Sequence, residues 1–242
     1  MSGAALPPVL FEDDVLVAYD KPSGLLIAPD RWDKSRENLM DLVHRIASPD
    51  WFNVHRLDKD TSGVVLCAKN KAALDALCMA FETRAVTKTY LALTRGAPPA
   101  PSGRISLALA PDPARPGRVV ARPTGKPAET LYAVVERWPG YALVRLHPAT
   151  GRSHQLRVHL AALGCPIVAD AFYGDGRGCF LSDLKRGYKP GRDAERPLLG
   201  RLGLHAHQLT FAHPVRGDEM TIEAPIPREF EITLKNLRKY AQ

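Results

Sequence analysis

Short apolar runs of two different periods are spread along the whole chain. Apolar residues at helical spacing predict helices over residues 38–47, 71–84, 153–163 and 228–239. Runs of β-prone residues predict strands over residues 15–19, 64–68, 87–94, 104–109, 130–136, 142–147, 209–212 and 220–223. Since strands and helices do not alternate strictly, the pattern favours an α+β fold with helices flanking a largely antiparallel sheet.

The predicted elements show no repeat and no boundary linker, so we expect one domain over residues 9–236, after a short tail at residues 1–8. The helix at residues 153–163 is predicted to start with Ser153 as its N-cap and to end at Gly164. Residues 174–201 are glycine-rich and lack periodicity, which predicts a long loop. This loop holds seven basic and four acidic residues, so it is a candidate for contacts with a polyanion, or a solvated loop.

Composition narrows the class of protein. The net charge of +7, from 33 basic and 26 acidic residues, suits a polyanionic partner such as RNA. No apolar run approaches the ~20 residues that span a bilayer, and no signal peptide is visible, so no membrane partner is expected. The four cysteines form no C-x-x-C pair, which favours free thiols in a reducing cytoplasm. No His and Cys cluster has metal-ligand spacing, so no metal is expected.

The segment His55–Gly63 carries the strongest chemical signal, because a turn does not need the His-Arg pair that precedes Asp58. Asp58 to Thr61 fits the D-x-D-T pattern of aspartyl phosphatases, but the residues before it are too short and too polar for the required strand. The segment also begins like an EF-hand loop, yet Lys69 stands where calcium needs a bidentate Glu. A third interpretation is the H-R-L-D-x-x-T-S-G signature, of which every fixed position is present.

That signature and six further segments together resemble the RluA-type pseudouridine synthases, from about Val9 to Phe230. Cys165 and Ala169 depart from this pattern, at positions where the family often has His and Gly, and neither position carries chemistry. The six segments follow the family order with compatible spacing: Lys21–Leu25, Lys88–Tyr90, Thr124–Thr130, Thr150–His159, Gly164–Asp170 and Leu204–Ala206.

The resemblance implies an isomerase that converts uridine in RNA to pseudouridine, on the catalytic fold of this family with its central cleft. The reaction breaks the C1′–N1 bond and rejoins the base through C5, so it demands no cofactor. A carboxylate can attack or stabilise C1′, as in glycosidases. The resemblance assigns this role to Asp58, with Asp60 as a rival by proximity whose turn-forming role is the stronger interpretation. Only eight residues precede Val9, so we expect the family's frequent N-terminal RNA-binding module to be absent.

The resemblance also suggests the partners of Asp58. Arg157 is expected to pair with it and hold it ionised, with Arg152 as the alternative partner or a phosphate contact. Tyr90 is expected to stack on the uracil and to reach its C5 proton. His154 is predicted to share a helix face with Arg157, in a functional or a structural role.

Two further residues are predicted to contact RNA. Arg56 is expected to fill the gap left by the flipped uridine, or else to form a salt bridge with Asp58. Lys88 shares the strand face of Tyr90 and is expected to contact phosphate or solvent.

The sequence therefore predicts a cytoplasmic, cofactor-free, monomeric RNA pseudouridine synthase acting on stem-loops of rRNA or tRNA. The alternative is a non-catalytic RNA-binding or RNA-remodelling protein on the same fold. The presence of Asp58, Tyr90 and Arg157 speaks against that alternative, because such a protein is expected to have lost a catalytic residue.

Overall fold

A computed structural model of the chain describes residues 5–29, 33, 35–189, 191 and 193–241. Its helices are α1 (Leu39–Ile46), α2 (Lys71–Glu82), α3 (Gln155–Ala162), α4 (Leu181–Leu184) and α5 (Arg228–Tyr240). Its strands are β1 (Val9–Glu12), β2 (Leu16–Lys21), β3 (Phe52–Asn53), β4 (Ser62–Ala68), β5 (Thr87–Arg95), β6 (Ser102–Pro111), β7 (Val119–Ala121), β8 (Lys126–Trp138), β9 (Tyr141–Pro148), β10 (Leu204–Ala212) and β11 (Glu219–Glu223).

The strands pair largely antiparallel, which confirms the predicted α+β class. Every strand and helix predicted from the pattern is present, with bounds that differ by a few residues. The short elements β1, β3, β7 and α4 were not predicted, because segments of two to four residues show too little periodicity. Residues 1–4 of the expected tail and Arg192 of the expected loop lie outside the described residues.

The chain divides into two compact units, and the expectation of a single domain over residues 9–236 stays a prediction. The first unit comprises residues 1–88 and 206–225. Its strands follow the order β1-β2-β4-β10, with β3 paired to β4 and β11 paired to β10. All seven residues of β4 are buried, as the continuous apolar run of this strand predicts. Its core packs β2 and β4 against α2 through Leu16, Leu66 and Leu77.

The second unit comprises residues 89–205 and 226–242, with strands in the order β5-β9-β8-β6-β7. One core cluster places Leu156 and Leu160 of α3 on the sheet, and another packs Phe230 and Leu234 of α5 beside Leu93. The predicted loop 174–201 contains some regular secondary structure, namely α4 and a β-bridge between Cys179 and Leu199.

Helix α3 corrects the prediction for its start. The helix begins at Gln155 and not at Ser153, and its N-cap is His154 in the left-handed conformation at φ 53°, without a capping side-chain hydrogen bond. The side chain of Gln155 accepts a hydrogen bond from the Arg152 amide instead (3.0 Å). His154 therefore precedes the helix, and the prediction that it shares a helical face with Arg157 is wrong.

Candidate active site

The turn that begins at Asp58 is anchored by a lysine for which the sequence suggested no role. Lys21 ends β2 and its side chain is fully buried. Its ammonium donates hydrogen bonds to the carbonyl oxygens of Pro22 (2.9 Å), Leu25 (2.8 Å) and Lys59 (2.8 Å). A buried charge is tolerated only when it is paired or hydrogen-bonded. Lys21 therefore ties its own segment to the Asp58 turn.

Two neighbours of Lys21 strengthen this connection. The Ser23 hydroxyl donates to the Asp60 carbonyl (2.6 Å), and the Gly24 amide donates to the Lys59 carbonyl (2.9 Å). Within the turn, the Thr61 amide donates to the Asp58 carbonyl (3.1 Å). The segment Lys21–Gly24 thus fixes the backbone of the turn through main-chain carbonyls.

Gly63 of the signature is required by a close approach of two backbones. It has φ 113°, and a Cβ at this position would lie 2.1 Å from the carbonyl oxygen of Ala206 in β10. Any side chain would push β4 and β10 apart, so the glycine keeps the strand that follows the turn in its place.

His55, at the start of the signature, has a structural role. Its Nε2 accepts a hydrogen bond from the Leu66 amide (3.1 Å), and its ring stacks on Phe81 with centroids 4.9 Å apart. Burial, with a smaller effect of Lys88, lowers the pKa of His55 to about 4. The neutral imidazole therefore holds the start of the signature against β4 and α2.

The three predicted functional residues of the first unit differ in exposure. Asp58 and Lys88 are half-buried, and Arg56 is exposed. Burial and the neighbouring Arg84 lower the pKa of Lys88, because both disfavour its charged form. Arg56 stands two residues before Asp58 in the sequence and is exposed, so a substrate can reach it, as its predicted role requires.

In the second unit Arg157 lies in α3 and forms a buried ion pair that the sequence analysis did not predict. Its Nε and Nη2 each donate to one oxygen of Asp170 at 2.8 Å, and the two residues are 4% and 1% exposed. Such bidentate pairs fix the plane of the guanidinium. The pairing of Arg157 with Asp58, a residue of the other unit, remains a prediction.

Two aromatic rings after Asp170 bring His154 and Arg157 together. The guanidinium carbon of Arg157 lies 5.3 Å from the ring centre of Phe172 and 5.1 Å from that of Tyr173. Nδ1 of His154 lies 2.8 Å from the Tyr173 hydroxyl, which also accepts from the Val119 amide (2.9 Å). His154 and Arg157 thus meet at one cluster, although His154 is outside the helix.

The amide side chain of Gln155 joins two of the recognised segments. Its Oε1 accepts from the Thr150 hydroxyl (2.7 Å), while its Nε2 donates to the Glu129 carbonyl and the Thr130 hydroxyl, both at 2.9 Å. Gln155 is buried, and all of these partners lie at the start of β8 or just after β9. It therefore sets the position of α3, and with it Arg157.

The remaining candidates occupy the sheet and a loop of the second unit. Tyr90 lies in β5 opposite Leu146 of β9 and is half-buried. Arg152 is exposed, and its Nε donates to the Pro127 carbonyl (3.3 Å). Tyr90 is thus partly accessible, and Arg152 has the exposure that a phosphate contact needs.

Among the described residues, no three His, Cys, Asp or Glu side chains come close enough to hold a metal ion. Nor does any helix of this part of the chain have the length and apolar character needed to cross a membrane. All four cysteines are free thiols.

Comparison with known proteins identifies the class of these units. Residues 15–162 match the family described as RNA pseudouridylate synthase. The Dual-specificity RNA pseudouridine synthase RluA of Escherichia coli K12 is 41% identical over 219 residues, covering 90% of this chain and 92% of that protein. The Ribosomal large subunit pseudouridine synthase C of Haemophilus ducreyi is 35% identical, over 95% of this chain and 69% of that protein.

A solved structure agrees. Human RNA Pseudouridylate Synthase Domain Containing 4 has a TM-score of 0.71 at 29% identity, covering 95% of this chain and 92% of that one. The chain belongs to the RNA pseudouridylate synthase family. The reaction class and the fold predicted from the sequence are thereby confirmed, and the enzyme is an isomerase.

Sequence reasoning missed Lys21, Gln155 and Asp170 as residues that build the site. All three lie in segments that the resemblance had marked, yet nothing local distinguishes their roles. Lys21 contacts a residue 38 positions away, and Asp170 contacts one 13 positions away. Only the position of each residue within a matched motif could have identified them.

Proposed function

We propose that this pseudouridine synthase uses Asp58 as its catalytic carboxylate on uridines of tRNA and large-subunit rRNA stem-loops. The observation that carries the proposal is the turn itself. Asp58 is half-buried, and its turn is fixed through backbone carbonyls by Lys21, Ser23 and Gly24. A carboxylate that attacks C1′, or removes a proton from the sugar, must be held without motion of its backbone.

The names of two relatives support RNA as the substrate, and one of them names the large ribosomal subunit. One relative is named a dual-specificity RNA pseudouridine synthase and another a ribosomal large subunit pseudouridine synthase, and each matches most of this chain. The net charge of +7 suits such a substrate. The free thiols of the four cysteines support a reducing cytoplasm as its compartment.

Asp58→Asn tests the central assignment, with Asp60→Asn as a matched control in the same turn. The first variant should lose at least about a thousandfold in pseudouridine formation while its RNA affinity changes little, because the amide keeps the shape but not the charge. The control should retain turnover. If Asp58→Asn is active and Asp60→Asn is not, Asp60 is the catalytic residue. If the unmodified protein itself binds RNA without turnover, the non-catalytic alternative is correct.

The other residues take supporting roles in this proposal. Arg157 pairs with Asp58 and keeps it ionised, Tyr90 stacks on the uracil, and His154 lines the same site. Lys88 and Arg152 contact phosphates. The lowered pKa of Lys88 supports its place in a partly desolvated position near His55.

Arg56 is proposed to fill the gap that the flipped uridine leaves in the RNA. Its exposure and its place two residues before Asp58 support this role. Arg56→Ala should then reduce activity more on a structured stem-loop than on a short unstructured oligonucleotide, because only the stem-loop must be opened. Equal losses on both substrates would instead indicate that Arg56 holds Asp58.

The loop 174–201 is proposed to contact RNA outside the catalytic residues. Lys185, Arg186 and Lys189 are exposed. Arg177 and Arg201, by contrast, form ion pairs with Asp183 and Glu229. Neutralising the three exposed residues together should weaken RNA binding and reduce its salt dependence by roughly one unit of slope per lost contact. An unchanged slope would show that the loop is simply solvated.

A further inference from the structure

The carboxylate of Asp170 organises a complete turn around Arg157. Besides the two hydrogen bonds from Arg157, its Oδ1 accepts from the amides of Phe172 (2.9 Å) and Tyr173 (3.1 Å). One buried side chain therefore orients the guanidinium and also folds the two aromatic residues that pack against it.

The guanidinium of Arg157 is thus held on two sides. Asp170 uses Nε and Nη2, and the rings of Phe172 and Tyr173 lie against the guanidinium carbon. Nη1 takes no part in the pair with Asp170, so the pair leaves that end of the fork to other partners. A bidentate pair of this kind defines direction as well as charge.

Stability alone does not account for such a pair. Replacing a buried ion pair by well-packed apolar residues is often neutral or stabilising, because desolvation of the two charges offsets their attraction. A pair that is 4% and 1% exposed and includes an arginine proposed to act in the reaction can serve a second purpose, namely to orient that arginine.

We infer that Asp170 is a positioning residue of the reaction, which fixes the direction in which Arg157 presents its guanidinium. This inference rests on the role proposed for Arg157. It deepens that role, since it assigns the direction of the guanidinium to a residue outside the His-Gln-Leu-Arg segment. Tyr173 extends the same turn to His154 through its hydroxyl.

Asp170→Asn tests the inference, because it keeps the shape and removes the charge. Glu136→Gln is the matched control, since Glu136 also forms a two-armed pair with an arginine, Arg238, and has no proposed role in the reaction. Pseudouridine formation would be measured under saturating RNA, at a temperature where circular dichroism shows each variant folded. We expect kcat to fall by at least about thirtyfold in Asp170→Asn with KM changed less than about threefold, and both constants to stay within about twofold in the control.

A second pair of variants separates positioning from general support of the fold. If Asp170 acts through Arg157, then Arg157→Met and the double variant Arg157→Met/Asp170→Asn should share one kcat, because the second change has nothing left to orient. The double variant buries no unpaired charge, so its kcat can be measured even if Asp170→Asn alone does not fold. Arg157→Met leaves the Asp170 carboxylate buried, so its kcat is compared at a temperature where circular dichroism shows it folded.

A failure of this inference can be told apart from a failure of the proposed function. Wild-type kcat in Asp170→Asn, or a double variant clearly slower than Arg157→Met, overturns the inference while the assignment of Asp58 stands. Full activity of Arg157→Met overturns both the inference and the role proposed for Arg157. Activity of Asp58→Asn overturns the catalytic assignment itself.

Discussion

Asp58 and Asp170 each begin a tight turn, one in each unit, and the two turns are stabilised by different groups. In the first, Lys21, Ser23 and Gly24 bind main-chain carbonyls of the turn. In the second, the Asp170 carboxylate itself accepts four hydrogen bonds, two from Arg157 and two from the amides that follow. Asp58 is half-buried, whereas Asp170 is 1% exposed.

This difference separates a carboxylate proposed for chemistry from one that holds its own turn together. A carboxylate that stabilises its own turn cannot change its charge or its partner without loss of the turn. A turn that is stabilised through backbone carbonyls by a buried lysine keeps those hydrogen bonds when one of its side chains is changed. The comparison therefore leads to predictions about stability that differ sharply between the two positions.

The largest expected effect is the contrast in stability between the two Asp→Asn variants. Asp170→Asn should lower the free energy of unfolding by about 3–5 kcal/mol, because it removes the buried carboxylate that binds two nitrogens of the Arg157 guanidinium. Asp58→Asn should lower it by less, because the hydrogen bonds from Lys21, Ser23 and Gly24 to the backbone of its turn remain. Urea unfolding of both variants measures the contrast. Similar losses at the two positions would show that the Asp58 side chain also supports its turn.

Lys21→Met should destabilise the protein by about 2–4 kcal/mol, because it removes the ammonium that donates to three carbonyls, of which that of Lys59 keeps the Gly24 amide. Activity should fall with it, since the backbone of the Asp58 turn loses its anchor. Lys71→Met is a suitable control, because Lys71 is an exposed residue of α2 whose pair with Asp75 should contribute less than about 0.5 kcal/mol. Equal stability of the two variants would contradict the anchoring role of Lys21.

Acid should lower the stability of the protein through His55, which holds the start of the signature. The pKa of His55 is lowered to about 4, so between pH 6.5 and pH 4 the unfolded chain binds a proton that the folded protein does not. Stability should therefore be fully present above pH 6.5 and decline as the pH falls toward 4, by about 1–2 kcal/mol at pH 5 after allowance for the partial exposure of the ring.

Burial also lowers the pKa of His159, in the second unit, to about 4. His159 should therefore add to the loss of stability as the pH falls. His55→Gln can still accept from the Leu66 amide, and it should flatten the pH dependence of unfolding between pH 7 and pH 5. An unchanged slope in this variant would show that His55 does not contribute to the acid sensitivity.

The smallest expected effect concerns backbone strain before Asp170. Ala169 has φ 58°, a left-handed conformation that favours glycine, whereas the signature around Asp58 places a glycine, Gly63, at its positive φ. Ala169→Gly should therefore stabilise the protein by about 0.5–1 kcal/mol after the entropy that glycine costs.

Arg84→Gly offers a comparison in the first unit, because Arg84 follows α2 at φ 62°. It should stabilise the protein by a similar amount, as glycine usually does just after a helix. Thermal unfolding of both variants tests the interpretation, and a decrease in stability at either position would contradict it.

The sequence by itself determined the α+β class, almost all of the longer elements and the family. These depend on local periodicity and on motifs whose letters stand close together, such as His55–Gly63. The sequence also marked Ala169 as a departure from the family pattern. The physical reason that glycine is favoured there, the positive φ, became visible only in the structure.

The tertiary structure alone decided which side chains hold the site together. Lys21 reaches the carbonyl of Lys59, and Asp170 takes the guanidinium of Arg157, through contacts between residues that no periodicity connects. The start of α3 was likewise decided by Gln155, whose side chain binds β8 and the end of β9 and so displaces Ser153 as the cap. Local pattern specifies which residues can form an element, but burial and hydrogen bonding between distant segments decide where each element ends and what its polar groups bind.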